Sequence, residues 1–226
     1  MDNKAKESQN QFQFDDYAKD PVQLGPYTSH IWKSDPRHLG FLLARYKFCA
    51  KMLQGKNKVL EIGCGDAFGT PVVAQVVGSV HGVDWEPLLL ADNAKRLKHF
   101  KNCTFSLLDV TKDHTKEKFD AAFCLDVIEH IKPELEQAFI TNICKSLKAD
   151  GICIIGTPNV TASQYATPAS KEGHINLKSH EQFRVILSKY FNNGFLFSMN
   201  DEVIHTGYYP MAQYLFAMGV GVLNKK

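Results

Sequence analysis

No apolar stretch in this 226-residue chain reaches the roughly 18 residues that a membrane-crossing helix needs. None of its six cysteines (Cys49, Cys64, Cys103, Cys124, Cys144 and Cys153) stands in a C-x-x-C pair, and most lie inside apolar runs. That pattern excludes the ligand spacing of a structural zinc site and leaves small, reduced, buried thiols as the expectation. Dense Lys/Arg blocks are missing too, and a formal net charge of +2 is too small for an electrostatic footprint on nucleic acid. Residues 1–14 have no apolar middle of the kind a secretory signal carries. Together these absences lead to the expectation of a cytoplasmic protein with a small-molecule partner, no nucleic-acid or membrane partner, and no required metal. They leave the oligomeric state open.

What is present fits an ordinary globular domain: 44% hydrophobic and 22% charged residues. The length suits one sizeable domain with a lid. We divide the chain into a flexible amino-terminal segment or lid (1–34) and a single domain (35–226). Residues 1–14 are rich in Asn, Gln and Lys and are expected to fray. Residues 17–33 are punctuated by Gly and Pro and read as irregular. Asp35 is placed to cap a helix with Pro36 in its first turn, carrying Leu39, Leu42, Leu43, Tyr46, Cys49 and Leu53 at helical spacing.

From residue 58 onward, short apolar runs alternate with helical patterns. Strands are predicted at 58–62, 79–83, 104–108, 119–125 and 152–156, with helices at 70–77, 87–99 and 133–147. Such alternation implies crossover units and a parallel sheet covered on both faces, an α/β fold. Residues 159–178 read as a long polar connection without period. Ser179 and Gln182 then form a capping-box pattern before a helix with Phe183, Ile186, Leu187 and Tyr190. Residues 195–199 read as a strand. Periodicity leaves 211–218 open between strand and buried helix, and we favour the strand.

The strongest chemical signal is Val59-Leu60-Glu61-Ile62-Gly63-Cys64-Gly65-Asp66-Ala67-Phe68-Gly69, an apolar strand running into a glycine turn and then a helix. Glycines here permit backbone conformations and close ligand approach that a β-carbon would block. Twenty-one residues beyond Gly63, the second strand ends in Asp84, whose carboxylate can accept both hydroxyls of a ribose. A dinucleotide fingerprint wants a third glycine where Phe68 stands, and Glu61 would repel a pyrophosphate while suiting a methionine ammonium.

In these residues the chain resembles the class I S-adenosylmethionine-dependent methyltransferases over about residues 56–160. The glycine-rich run is similar to their first motif, with Ala67 at the usual third glycine. Gly82-Val83-Asp84-Trp85-Glu86-Pro87 is similar to the second, Leu108-Asp109-Val110 to the third, and the run from Phe119 to Ile131 to the fourth. The resemblance implies a doubly wound seven-stranded sheet of order 3-2-1-4-5-7-6, strand 7 antiparallel, with helices on both faces and an amino-terminal helical flap. It also implies a donor site of Glu61, Gly63, Cys64, Gly65, Asp84, Trp85, Asp109, Val110 and Leu125, with S-adenosylhomocysteine as product.

The acceptor is less legible. The Asn/Asp-Pro-Pro-aromatic tetrapeptide of amino-group methyltransferases is replaced here by Leu125-Asp126-Val127-Ile128. Asp126 to His130 is more similar to enzymes acting on hydroxyls of quinone precursors and sugars. We therefore expect transfer to a small polar molecule, at oxygen, with Asp126, His130 and His174 as catalytic candidates. His130 reads as either general base or structural imidazole. Tyr27, His30, Arg37, Lys171, His174 and Asn176 are candidate acceptor contacts, with Lys178 beside them, and suit an anionic or sugar-linked acceptor such as a surface-polysaccharide precursor. His205, Tyr208, Tyr209 and Tyr214 read mainly as packing. The alternatives are a protein or nucleic-acid methyltransferase and an NAD(P)-dependent oxidoreductase.

Overall fold

The computed structural model describes residues 4–223; residues 1–3 and 224–226, the outer ends of the two expected divisions, lie outside the described residues. An eight-stranded sheet forms the middle layer, in the order β3-β2-β1-β4-β5-β8-β6-β7. Its strands are β1 (Lys58–Ile62), β2 (Ser79–Asp84), β3 (Cys103–Leu107), β4 (Phe119–Leu125), β5 (Leu147–Pro158), β6 (Phe191–Asn200), β7 (Val203–His205) and β8 (Tyr214–Val222). Strands β3, β2, β1, β4 and β5 pair in parallel, while β8 runs antiparallel to both β5 and β6. This is the predicted seven-stranded order with one addition. The short strand β7 turns back antiparallel on β6 at the edge, through three register pairs.

Alternation along the central strands explains why both faces are covered. In β1, Val59 joins Cys49, Leu53, Val73 and Phe123 in one apolar cluster, whereas Leu60 and Ile62 join Phe139, Ile143 and Phe183 in the other. Successive side chains of a strand point to opposite faces, so a strand buried on both needs an unbroken apolar run. The helices that cover these faces are α3 (His38–Leu53) and α4 (Thr70–Ala74) on one side, with α6 (Glu136–Ser146) and α8 (His180–Tyr190) on the other. Helix α5 (Pro87–Arg96) links β2 to β3. The capping box of α8 forms as predicted, with Ser179 and Gln182 exchanging hydrogen bonds.

Four local expectations are corrected. Residues 17–33 are not irregular: α1 (Gln11–Lys19) and α2 (Pro26–Ser34) occupy most of the amino-terminal segment. Pro26 in the first turn of α2 carries no N–H to leave unpaired, and that is why a helix starts there. Asp35 closes α2 instead of capping α3, which begins at His38 after Arg37. The connection 159–178 holds a 3-10 turn, Val160–Tyr165, and a short helix α7 (Pro168–Gly173), each started by a side-chain cap from Asn159 or Thr167. The predicted helix at 133–147 begins as a 3-10 turn, Pro133–Leu135, before α6. Among the described residues, no helix is long and apolar enough to cross a membrane.

Candidate functional site

The carboxyl ends of the parallel strands gather the chemistry-bearing residues, as open α/β sheets require. Gly63 (φ 67°) and Gly65 (φ 53°) lie in the left-handed region at the end of β1. A β-carbon on Gly63 would meet the Val127 side chain at 2.5 Å, so that glycine serves the packing of the β4 end against the turn. A β-carbon on Gly65 would meet only the ring of Tyr27, at 3.5 Å. Asp84, buried at the end of β2, accepts from Gly65 N–H (2.9 Å) through one oxygen and from Glu86 N–H (3.0 Å) through the other. Each carboxylate oxygen retains a lone pair, and the carboxylate is held rigidly beside the turn.

Glu61 is turned inward. Its oxygens accept from Tyr46 Oη (3.1 Å) and Thr70 Oγ1 (2.6 Å), and burial pushes its pKa up to about 7 against those two hydrogen bonds. Cys64 is buried and takes a hydrogen bond from Asn93, which also donates to Gly65 O at 2.7 Å. Trp85 is 77% exposed beside Asp84 and offers a free aromatic face there. Asp109 bonds the backbone and hydroxyl of Thr111 and pairs with Lys112 at 2.8 Å. Val110 and Leu125 are buried in the two apolar clusters.

The test of whether these residues suit the donor is the cradle itself. A positive-φ glycine turn, the buried and anchored carboxylate at the end of β2 and an exposed indole lie side by side at the strand ends. An acid with a free lone pair on each oxygen beside an exposed aromatic face suits a nucleoside, and at the position of the missing third glycine Ala67 itself takes φ 53°.

Beside the cradle, β4 is followed directly by Asp126, a non-glycine residue at φ 58°. Such strain persists where surrounding contacts enforce it. Arg45 of α3 does so, with Nη1 donating to both Asp126 oxygens at 2.7 and 2.9 Å. The guanidinium also lies 3.9 Å from the centroid of the Tyr214 ring. Glu129 is fully buried and accepts from Thr157 Oγ1 at 2.9 Å. Burial, then the charge of Asp126, raises its pKa.

His130 is exposed, and its Nδ1 stands 2.9 Å from the carbonyl of Gly173. A carbonyl only accepts, so Nδ1 carries a proton, and in the neutral ring Nε2 keeps a free lone pair. His174 packs edge-on against His130 with ring centroids 5.0 Å apart, and Glu129, His130 and His174 each bring a ligand atom within 4.8 Å of the others. These three are the groups among the described residues that the geometry would allow to hold a cation. The sequence had shown only Asp126, Glu129 and His130; the long connection supplies His174. Burial, followed by the neighbouring His130, lowers the pKa of His174.

The remaining acceptor candidates are dispersed. Tyr27 overhangs Gly65, and its α2 is tied down by Thr28, whose N–H and Oγ1 both donate to Asp66 at 2.7 Å. His30 is exposed one turn further along α2. Arg37 is 89% exposed and paired with Asp35, and Lys171 bonds the carbonyl of Gln164. Asn176 and Lys178 are buried and serve each other: Lys178 donates to Asn176 Oδ1 at 2.6 Å and pairs with Glu136, while Asn176 bonds Glu136 and the backbone of Ile128 and Glu129. Sequence reasoning missed Arg45, although it sits three residues after Leu42 and four before Cys49, on the inward stripe of α3. A charge on a buried stripe was the available signal.

A family model described as a methyltransferase domain matches residues 53–194. Among curated proteins, the chain is 34% identical over 127 residues to the ubiquinone biosynthesis O-methyltransferase of Haemophilus ducreyi, covering 51% of each chain. It is also 34% identical over 120 residues to the mitochondrial protein of that name from Bos taurus, covering 48% of this chain and 30% of that one. The chain thus spans about half, or less, of the curated relatives it matches. Among solved structures, the methyltransferase domain of bacterial CtHen1 superposes with TM-score 0.67 at 17% identity, over 80% of this chain and 99% of that one. The N-methyltransferase NodS from Bradyrhizobium japonicum, in complex with S-adenosyl-l-homocysteine, superposes with TM-score 0.59 at 18% identity, over 84% and 91%.

Proposed function

Because the chain belongs to the methyltransferase-domain family and has the class I S-adenosylmethionine-dependent fold, we propose that it transfers a methyl group from S-adenosylmethionine to a hydroxyl oxygen of a small molecule. One observation carries this reading. The glycine turn with its anchored Asp84 opens on the same strand-end edge as Asp126 and His130, so donor cradle and proton acceptor are neighbours. The two curated relatives described above, both named O-methyltransferases, favour oxygen over nitrogen as the site of transfer.

In this reading Asp84 receives the ribose hydroxyls, Trp85 flanks the base, and Gly65 lets the backbone approach. Bound S-adenosylmethionine supplies a methyl group already activated on a sulfonium, so alignment provides much of the rate. The acceptor oxygen forms the new O–C bond as the C–S bond breaks, and His130 Nε2 takes the hydroxyl proton. Products are the methyl ether and S-adenosylhomocysteine. Lys178 and Asn176, expected to face an anionic acceptor, are engaged with each other and with Glu136 and lend no support to that narrower class. The amino-terminal segment, 1–34, is read as the lid, and the Tyr27 ring lying over Gly65 supports that role.

Incubation of the protein and methyl-labelled donor with a metabolite extract tests this reading, with products sorted by mass. A labelled ether is expected. For His130→Ala, kcat should fall about 10²- to 10⁴-fold with S-adenosylhomocysteine affinity nearly unchanged. A labelled amine, or parental turnover in His130→Ala, would overturn the assignment of atom or base respectively.

A further inference from the structure

Helix α1 buries none of its own side chains. Phe14 and Tyr17, three residues apart and so on one side of it, are 58% and 72% exposed. A helix of nine residues is marginal in water unless an apolar face packs against something. Its acids Asp15 and Asp16 make no ion pair among the described residues. At the other end of the sheet, an open groove of about 590 Å³ runs between α3 and the β6–β7 edge. Leu43, Met52, Phe197 and Ile204 give it apolar walls, and Lys47 and Lys51 lie along it. Neither lysine is ion-paired among the described residues, and the groove's one acid, Glu202, lies against Gly40, so the groove keeps a net positive charge.

We infer that α1 of one copy docks in this groove of a second copy, which returns its own α1 to the first, so that the chain pairs by reciprocal exchange. The contact involves neither donor nor acceptor and goes beyond methyl transfer. An acidic helix with two bare aromatics matches a cationic groove with apolar walls in both charge and polarity. A chain cannot fill its own groove. Asp20, just after α1, pairs with Lys98 on the way into β3, while the groove lies at β6 and β7. Seven strand spacings separate β3 from β7, on the order of 30 Å, and α1 is only about 14 Å long. Two copies set antiparallel bring each helix to the other's groove, a closed twofold contact. Aromatic side chains hide about 150–250 Å² each when fully buried. Two from each copy, with the groove walls that they cover, approach the roughly 1,200 Å² at which specific interfaces begin.

Sedimentation equilibrium of the full chain, from low to high micromolar concentration, gives the test. A species of twice the 25.4 kDa chain is expected. A monomer throughout, or growth past the dimer into longer chains, overturns the reciprocal contact. Phe14→Ser with Tyr17→Ser should raise the dimer Kd about tenfold or more, as loss of interface aromatics does. Because α1 buries nothing in its own chain, the circular dichroism of that variant should keep the parental fold. A parental dimer Kd in it would mean that α1 is not the docking element. Charge reversal then identifies the groove. Lys47→Glu with Lys51→Glu should weaken pairing, and so should Asp15→Lys with Asp16→Lys. An equimolar mixture of these two variants should pair again, since both contacts then join opposite charges. A mixture that stays monomeric overturns the inference.

Discussion

Asp84 accepts one backbone hydrogen bond on each oxygen before any ligand arrives, so its orientation costs nothing further on binding. Asp84→Ala should weaken S-adenosylhomocysteine binding by about 1–3 kcal/mol, the penalty for leaving paired hydroxyls without their acceptor, as calorimetry would measure. Parental affinity would remove Asp84 from the donor site. Gly63 is a poorer probe than its motif suggests, because a side chain there strikes Val127 and would damage the fold along with the site. The imidazole pair offers a cleaner reading. His174 titrates below the ordinary imidazole range through burial first and the charge of His130 second. Removing a cationic neighbour makes protonation easier, so His130→Ala should move the His174 midpoint upward in an NMR titration. A midpoint that stays put or falls would mean that the two rings do not couple. Glu61, Gly63, Gly65 and Asp84 were legible because each sits a fixed step from a strand end. Arg45 and Tyr214 were not, since Arg45 reaches an Asp126 lying 81 residues away and no local spacing encodes that meeting.

Among elements, the long connection after β5 differs most from its sequence impression. Its polar residues read as a solvent-facing, ligand-collecting loop, yet Asn159 is buried and Asn176 and Lys178 clamp the segment onto α6 and onto the turn carrying Glu129 and His130. Composition cannot separate a solvated polar loop from one whose polar groups satisfy buried backbone. Lys178→Met should lower stability in urea titrations by about 1–3 kcal/mol, below the usual cost of breaking a buried pair because a quarter of the Glu136 side chain is exposed. Glu136→Leu in the same background should recover part of that loss; no recovery would show that the pairing is not what Lys178 supplies. Helix α2 poses the complementary case, being held chiefly by its ties to Asp66. Thr28→Val removes the side-chain tie, worth about 1 kcal/mol. Amides of α2 should then exchange faster while those of β1 and β4 do not. Uniform protection would show that α2 is anchored elsewhere.

For the molecule as a whole, the strand order was legible from alternation and motif together. The edge strand β7 was not, because three residues are too short for a periodicity to register. Global stability should carry the signature of Glu61. Its pKa is raised in the folded chain to about 7 from an ordinary value of 4.5, so between those limits the native state holds a proton that the unfolded state has released. Stability contributed this way is greatest at low pH and declines as pH rises from about 4.5 to 7. Glu61→Gln should flatten that part of the curve of unfolding free energy against pH, and an unaltered slope would contradict the assignment. The thiols give the fold a different use. All six are free; Cys49, Cys64, Cys124 and Cys153 are buried, and burial raises the pKa of every one. A chromogenic disulfide reagent at mildly alkaline pH therefore meets little thiolate on the native surface. The rate at which colour develops becomes a stopwatch for opening of the sheet, readable without any engineered label.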